Sequence, residues 1–228
     1  MNWLARLEVD AESVRAAGIS EDVYAWHKML WECYPGQPDA SRDFLTRIDQ
    51  LEGAYRFWVL AKHKPARPQW CTADGFSLKE ISPSFLSHRY YAFDLKVNPV
   101  KAIVQRKANE EPVVGTNGKR TRGKRTPLVK LDELRAWLFR KGEVRCRDKA
   151  GLDVPGGFHI VEEKTLEISP MVESHFRKKG QSGYHGGVQF RGTLEVTDRE
   201  KFIETYQSGI GSAKGFGFGL LLLAPVNL

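Results

Sequence analysis

The order of three segments near the end of the chain constrains its fold most strongly. Residues 188–196, VQFRGTLEV, alternate between apolar and polar side chains, which predicts a half-buried strand. Asp198 can cap a helix over residues 199–207, and the apolar run at residues 218–224 predicts a closing strand. These segments are the last three elements of the order βαββαβ, which is the ferredoxin-like plan.

The same order extends over the second half of the chain and is repeated in the first half. The second half also predicts strands at residues 90–97 and 158–168 and an amphipathic helix at residues 131–141, ended by Gly142. The first half predicts a helix at residues 22–31, with Asp22 as its cap, and strands at residues 2–9, 44–49, 55–61 and 75–81. A second helix should precede the last of these strands, but no segment can be assigned to it. We therefore expect an α+β protein of two tandem ferredoxin-like (βαββαβ) domains, residues 1–86 and 87–228, a fold class that does not settle the function.

Composition excludes several classes of protein. With 41% hydrophobic and 11% aromatic residues, the chain of 228 residues can bury a core and is not expected to be disordered. Its longest apolar run, residues 220–225, is far shorter than the roughly 20 residues of a membrane-spanning helix, and the N-terminal segment is too charged for a signal peptide. We expect a cytoplasmic protein without membrane contact. Because the three cysteines form no CxxC pair and the histidines lack metal-ligand spacing, neither a metal nor a cofactor is expected.

Positive charge is concentrated in one region. Residues 96–149 contain sixteen Lys and Arg against six Asp and Glu, whereas the rest of the chain contains 19 against 22. Such a local charge suits a polyanionic partner, although a solvated charged loop would have the same composition. The cations that we assign to nucleic-acid binding in this region are Arg106, Lys107, Lys119, Arg120, Arg122, Lys124 and Arg125.

A second basic cluster lies between two expected strands. It contains Arg177, Lys178 and Lys179 among aromatic and glycine residues, which is typical of a long hairpin tip. Such a tip could grip the phosphates of a structured RNA, and it could equally be an exposed turn.

The glycine-rich segment GIGSAKGFGFG, residues 209–219, is the most distinctive motif. A P-loop would follow a strand and read GxxxxGK[ST], whereas this segment follows a helix and lacks that ending, which disfavours nucleotide hydrolysis. Two interpretations stay open: a structural turn between helix and strand, and a surface for nucleic-acid backbone to which Lys214 contributes charge. The glycines concerned are Gly209, Gly211, Gly215, Gly217 and Gly219.

Tyr24 and His27 are spaced to lie on adjacent turns of one helical face. A histidine can take or give a proton near neutral pH, and a tyrosine hydroxyl can assist by hydrogen bonding. RNA cleavage by the substrate's own 2′-OH requires little more than this, although most helical pairs of this kind are structural. The sequence shows neither a Ser-His-Asp motif nor a nucleophilic cysteine motif.

Together these features resemble the CasE family, the repeat-processing endoribonuclease subunits of type I-E CRISPR Cascade complexes. The resemblance covers nearly the whole chain. It is carried by Tyr24-x-x-His27 and by the runs PDASRDFL at residues 38–45, NPVK at 98–101, KRTPL at 124–128, AWLFRK at 136–141, GTLEVTD at 192–198 and GIGSAKGFGFGLLLLAP at 209–225.

The resemblance implies a metal-independent cut at the 3′ base of the stem-loop in CRISPR repeat RNA. It also implies retention of the mature crRNA through its 3′ hairpin and assembly with the other Cascade subunits. On this interpretation His27 is the principal catalytic residue and Tyr24 positions or stabilises the reacting groups. The alternative hypothesis is a noncatalytic RNA-binding scaffold of the same architecture, which would have no need of the Tyr24–His27 pair. A metal-dependent nuclease is a more distant alternative, because no cluster of acidic ligands stands out.

Overall fold

The computed structural model describes residues 2–16, 23–35, 43–103, 123–147, 152–161, 165–178 and 181–227. Within this part the protein is a mixed α/β structure in which both main sheets are antiparallel. Each half of the chain contributes one of these two main sheets. The expected combination of helices with antiparallel sheets is therefore confirmed.

The first half forms a four-stranded sheet in the order β2-β3-β1-β4. Its elements are β1 (Asn2–Asp10), α1 (Ala11–Ala16), α2 (Val23–Leu30), β2 (Phe44–Leu51), β3 (Ala54–Ala61) and β4 (Phe76–Ile81). The helix expected before β4 is absent, because residues 62–75 contain only turns and irregular backbone. Pro65 and Pro68 explain this, since proline disrupts a helix interior and disfavours helical backbone in the residue before it.

The second half forms a larger sheet in the order β10-β13-β5-β14. Its elements are β5 (Tyr90–Val97), β6 (Val100–Ile103), β7 (Lys124–Pro127), α3 (Leu131–Glu143), β8 (Cys146–Arg147), β9 (Asp153–Val154), β10 (Phe158–Val161), β11 (Glu167–Ile168), β12 (Val172–Lys178), β13 (Gln181–Val196), α4 (Arg199–Ser208) and β14 (Leu221–Val226). Asp198 caps α4 as expected, because its carboxylate accepts a hydrogen bond from the Lys201 N–H at 3.0 Å.

The expected hairpin of the second half is present. It is a regular two-stranded ribbon, in which β12 pairs with the first residues of β13 from Val172↔Gly187 to Lys178↔Gln181. For the basic segment, which carries the expected cations from Arg106 to Arg125, the sequence left a charged loop open, but its last residues belong to β7, which pairs with β6. Cross-strand pairing overrides the weak strand propensity of these glycine-rich and charged runs.

The two halves pack through the sheet face opposite α2. On the α2 side, Leu7 and Phe57 are fully buried in the core of the first half. On the other side, Leu45 and Leu60 join the core of the second half, which includes Phe93, Trp137 and other buried residues. The first sheet is thus covered on both faces, and its edge strand β2 runs alongside the second half.

Candidate functional site

His27 lies in the last turn of α2, at the side of the helix that faces β2. Trp26 anchors the helix, since its ring is buried against Tyr55 and Phe57 with centroids 4.9 and 5.1 Å apart. The half-buried imidazole of His27 packs between two aromatic rings, with its centroid 6.2 Å from Phe44 and 6.3 Å from Trp31. This packing restricts the orientation of a ring that can exchange protons near neutral pH.

Phe44, at the start of β2, is the centre of the aromatic frame around His27. The Tyr34 ring stacks on Phe44 at 5.0 Å, and Trp31 meets Phe44 edge-on at 5.1 Å. Burial, followed by the nearby Cys33 and Asp43, raises the pKa of the Tyr34 hydroxyl far above its ordinary value. Tyr34 therefore stays neutral and contributes packing. Tyr24 belongs to the same helix as His27, but its side chain lies outside the described part of the structure.

The glycine-rich segment is a tightly packed turn between the two halves. Gly209, Gly211, Gly217 and Gly219 have φ values of +73°, +83°, +82° and +88°, which favour glycine. A Cβ on Gly209 would lie 2.8 Å from a methyl group of Leu45, and one on Gly211 would lie 3.3 Å from the Trp137 ring. These contacts support the interpretation as a structural turn. Gly215 differs from the other four, because it lies within the short 3-10 helix Lys214–Phe216 and has no positive φ.

The turn brings Lys214 to the helix that carries His27. The 3-10 helix Lys214–Phe216 contacts both α2 and β2. The Lys214 side chain is half-buried, and its Nζ donates a hydrogen bond of 2.6 Å to the Ser208 carbonyl at the end of α4. One expected cation of the second half is therefore next to the expected catalytic helix of the first half.

The β12–β13 ribbon reaches the same helix. α2 contacts β12, the strand on which Arg177 and Lys178 lie. The side chains of these two residues, and Lys179 altogether, lie outside the described residues. At the base of the ribbon, a Cβ on Gly186 would lie 2.6 Å from the Met171 sulfur and 3.5 Å from a Pro127 carbon, so the end of β7 adjoins this ribbon.

The basic segment is described only at its end. The backbone of Lys124 and Arg125 belongs to β7, and the Arg125 side chain is exposed. β6 is fixed to the start of α3 by an ion pair of 2.8 Å between Lys101 and Glu133. The remaining expected cations lie outside the described residues: Arg106, Lys107, Lys119, Arg120 and Arg122.

A buried charge cluster, which the sequence did not indicate, joins the two halves behind β2. The Arg47 side chain is only 4% exposed; its Nε lies 2.9 Å from Asp49 Oδ1 and its Nη1 lies 2.7 Å from Asp94 Oδ1. Asp94 also accepts hydrogen bonds from Gln189 and Arg191. Burial disfavours ionisation of Asp94, but the hydrogen bond and charge of Arg47 and these further bonds outweigh it and hold the pKa below its usual range.

Lys96 completes the charge cluster. Its Nζ donates a hydrogen bond of 2.7 Å to the Ile48 carbonyl of β2, and burial lowers the pKa of its ammonium group. A cleft of about 790 Å³ opens between the halves beside these residues. Among the described residues, no group of three or more His, Cys, Asp or Glu side chains could hold a metal ion, and no helix is long and apolar enough to cross a membrane.

Comparison with known proteins places this architecture in a family. The family model described as "CRISPR associated protein" matches residues 2–225. The Cascade subunit CasE of Escherichia coli is 31% identical over 209 residues, covering 91% of this chain and 94% of CasE. The CRISPR-associated endoribonuclease Cse3 of Thermus thermophilus is 25% identical over 238 aligned positions, covering 98% of this chain and 100% of Cse3.

A solved structure has the same fold. Thermus thermophilus Cse3 bound to an RNA representing a pre-cleavage complex superposes with a TM-score of 0.66, over 98% of this chain and 99% of that chain, at 24% sequence identity. The resemblance inferred from the sequence motifs is thereby confirmed. This chain belongs to the CRISPR-associated protein family that includes the Cascade subunit CasE.

Proposed function

We propose that this protein is a metal-independent endoribonuclease that cuts CRISPR repeat RNA at the 3′ base of its stem-loop. The family relationship to CasE and to the endoribonuclease Cse3 supports an RNA-cleaving activity. After the cut, the protein remains bound to the 3′ hairpin of the mature crRNA and serves as a Cascade subunit with the other subunits of that complex.

In this proposal the substrate's 2′-OH attacks the adjacent phosphate. The 5′ oxygen of the next nucleotide leaves, which gives a 2′,3′-cyclic phosphate and a 5′-hydroxyl end. His27 acts in general acid/base proton transfer, and Tyr24 on the preceding turn of α2 positions or stabilises the reacting groups. No bound water has to be activated, so the chemistry requires no metal or cofactor.

One observation carries the proposal: α2 meets both Lys214–Phe216 and β12 of the other half. A helix with a proton-transfer residue therefore adjoins two cation-bearing elements, and RNA hairpins are gripped mainly through phosphates and shape. The proposed RNA contacts are Lys214, the cations of the β12–β13 ribbon and those of the basic segment. The sheet orders support two ferredoxin-like domains, with a boundary near Leu86 between β4 and β5, although the first lacks its second helix.

The experiment that tests this proposal uses the purified protein and the repeat RNAs of its own genome. Wild-type protein should cut at one position, at the 3′ base of the stem, equally with and without EDTA. A single 2′-deoxy substitution immediately 5′ of the cut should abolish cleavage and leave binding intact. Cleavage of the deoxy substrate, or a requirement for magnesium, would refute the mechanism and indicate an activated water. Binding without any cleavage would support the noncatalytic scaffold instead.

A further inference from the structure

A further cationic surface lies on the first half of the protein. The loop after β3 reads KHKPAR, residues 62–67, and residues 62–73 contain no acidic residue. The side chains of Lys62, Lys64 and Arg67 are all exposed. The rest of the chain outside residues 96–149 has a slight excess of acidic residues, so these cations are not part of a general positive charge.

Four contacts hold this loop in a defined position. The Ala66 N–H donates to the Cys33 carbonyl at 2.9 Å, in the 3-10 helix that directly follows α2. Arg67 Nη1 donates to the Cys71 carbonyl at 2.6 Å. His63 Nδ1 lies 2.6 Å from Asp43 Oδ2, and the Lys64 ammonium lies 5.0 Å from the centre of the Trp3 ring. The loop is therefore fixed at both the end of α2 and the start of β2.

The sheet register relates this loop to His27. Ala61 of β3 is paired with Phe44 of β2 on one side and with Trp3 of β1 on the other. Because directly paired residues lie on the same face of a sheet, these three form a row across it. Phe44 packs against His27 at one end of this row, and Lys64 covers Trp3 at the other end. Two strand spacings separate the ends, which is about 10 Å. The row begins at β2, which contacts Lys214–Phe216 of the second half, and runs toward β1.

We propose that the loop of residues 62–67 binds the phosphates of the single-stranded RNA that continues 3′ of the scissile bond. This inference rests on the proposed function. If the hairpin is held by the second half and the scissile phosphate lies at His27, the next nucleotides leave the stem on the side of the KHKPAR loop. Exposed cations, one of which lies over the half-buried Trp3 ring, suit an unpaired strand, which such surfaces bind by phosphate contacts and base stacking. The contact would hold the substrate and be absent from the retained product.

The test compares three RNAs, each with a 2′-deoxy substitution at the cut so that it stays intact. One ends at the cut, one continues for eight nucleotides on the 3′ side, and one carries an eight-nucleotide 5′ extension. The test variant is Lys62→Gln/Lys64→Gln/Arg67→Gln. The matched control removes three exposed cations of α1, β4 and α4: Arg15→Gln/Lys79→Gln/Arg199→Gln.

The test variant should bind the 3′-extended RNA roughly tenfold more weakly than wild type, since three exposed ionic contacts are lost. For that RNA, the slope of the logarithm of the binding constant against the logarithm of the salt concentration should become shallower by about 2, since each contact to a single-strand phosphate contributes about 0.7. Binding of the hairpin that ends at the cut should not change, which also shows that the variant is folded. The control should match wild type on all three RNAs.

Three outcomes would overturn this inference: equal binding of the 3′-extended RNA by variant and wild type, an equal loss on all three RNAs, or a loss confined to the 5′-extended RNA. Failure of the proposed function itself would look different. In that case the wild-type protein would not bind the hairpin that ends at the cut, whatever the state of the loop.

Discussion

Replacing Arg47 by Met should destabilise the protein more than any comparable change to an exposed arginine. Methionine keeps an unbranched chain but leaves the Asp49 and Asp94 carboxylates, whose side chains are 20% and 26% exposed, without the cation between them. Removing one partner of a buried ion pair typically costs about 3–5 kcal/mol. Because Gln189 and Arg191 still donate to Asp94, we expect the lower end of this range, a loss of about 3 kcal/mol in the free energy of unfolding.

Arg191→Met is the matched control. Arg191 Nε also bonds to Asp94, at 3.1 Å, but the Arg191 side chain is 57% exposed. Ion pairs at exposed positions contribute about 0.2–1 kcal/mol, so this variant should lose less than about 1 kcal/mol. Both variants remove one positive charge beside the Asp94 carboxylate, but only Arg47 is buried and also bonds to Asp49. The difference between them therefore measures what the buried position and its additional bonds contribute.

Urea denaturation followed by tryptophan fluorescence measures both variants. With a slope of about 3 kcal/mol per molar urea, the midpoint should fall by about 1 M for Arg47→Met and by less than about 0.3 M for Arg191→Met. Since the pKa of Asp94 is depressed in the folded protein, the stability that its ionised form contributes is present near neutral pH and is lost as the pH falls through that pKa. The gap between wild type and Arg47→Met should therefore narrow in acid. Equal midpoints for the two variants at neutral pH would refute this account of the interface.

Three further predictions concern the candidate site. His27→Ala should slow single-turnover cleavage roughly a hundredfold or more without changing RNA affinity, and Tyr24→Phe should slow it less; cleavage at the wild-type rate by the His27 variant would exclude it as the proton-transfer residue. Gly209→Ala should lower thermal stability clearly more than Gly53→Ala, since both glycines have positive φ but only Gly209 would place its Cβ against neighbours; equal melting temperatures would contradict this. A third variant removes four cations of the basic segment: Arg120→Ala, Arg122→Ala, Lys124→Ala and Arg125→Ala. The slope of the logarithm of the hairpin-binding constant against the logarithm of the salt concentration should become shallower by up to about 3. An unchanged slope would mean that these cations are only solvated.

The sequence predicted the elements whose side chains alternate regularly or carry a terminal signal. β5 and α4 were found from periodicity and, for α4, from the Asp198 cap, because local burial and local hydrogen bonds decide these structures. The β6–β7 ribbon was missed, since its pairing depends on a distant partner that no local pattern identifies. The β12–β13 hairpin was expected, but not the length of its paired strands. The missing helix before β4 followed from Pro65 and Pro68, which were visible in the sequence but outweighed by the expected symmetry of the two halves.

The sequence predicted the helix that carries the candidate site, but not the buried charge cluster behind β2. His27 stood out because its residue type and its spacing from Tyr24 both have chemical meaning. Arg47 and Asp94 lie 47 positions apart on two strands, and each occupies a position that alternation assigns to the polar face. A charge on the polar face of a strand is normally solvated, so only the packing of two such faces against each other reveals a buried pair.

The packing of the glycine-rich turn shows how its two interpretations, a structural turn and a nucleic-acid-binding surface, can be compatible. A glycine loop that wrapped a nucleic-acid backbone through its own flexibility would have open space around its Cα atoms. Here, a Cβ added to Gly209, Gly211 or Gly217 would contact Leu45, Trp137 or Ile48, respectively. The turn is therefore held by the first half on one side and by α3 on the other. Because the turn is rigid, the single cation that it carries, Lys214, is presented at a fixed place beside α2. Precise placement of charged groups requires such packed support, so the structural role of the glycines is what makes a functional role of Lys214 physically reasonable.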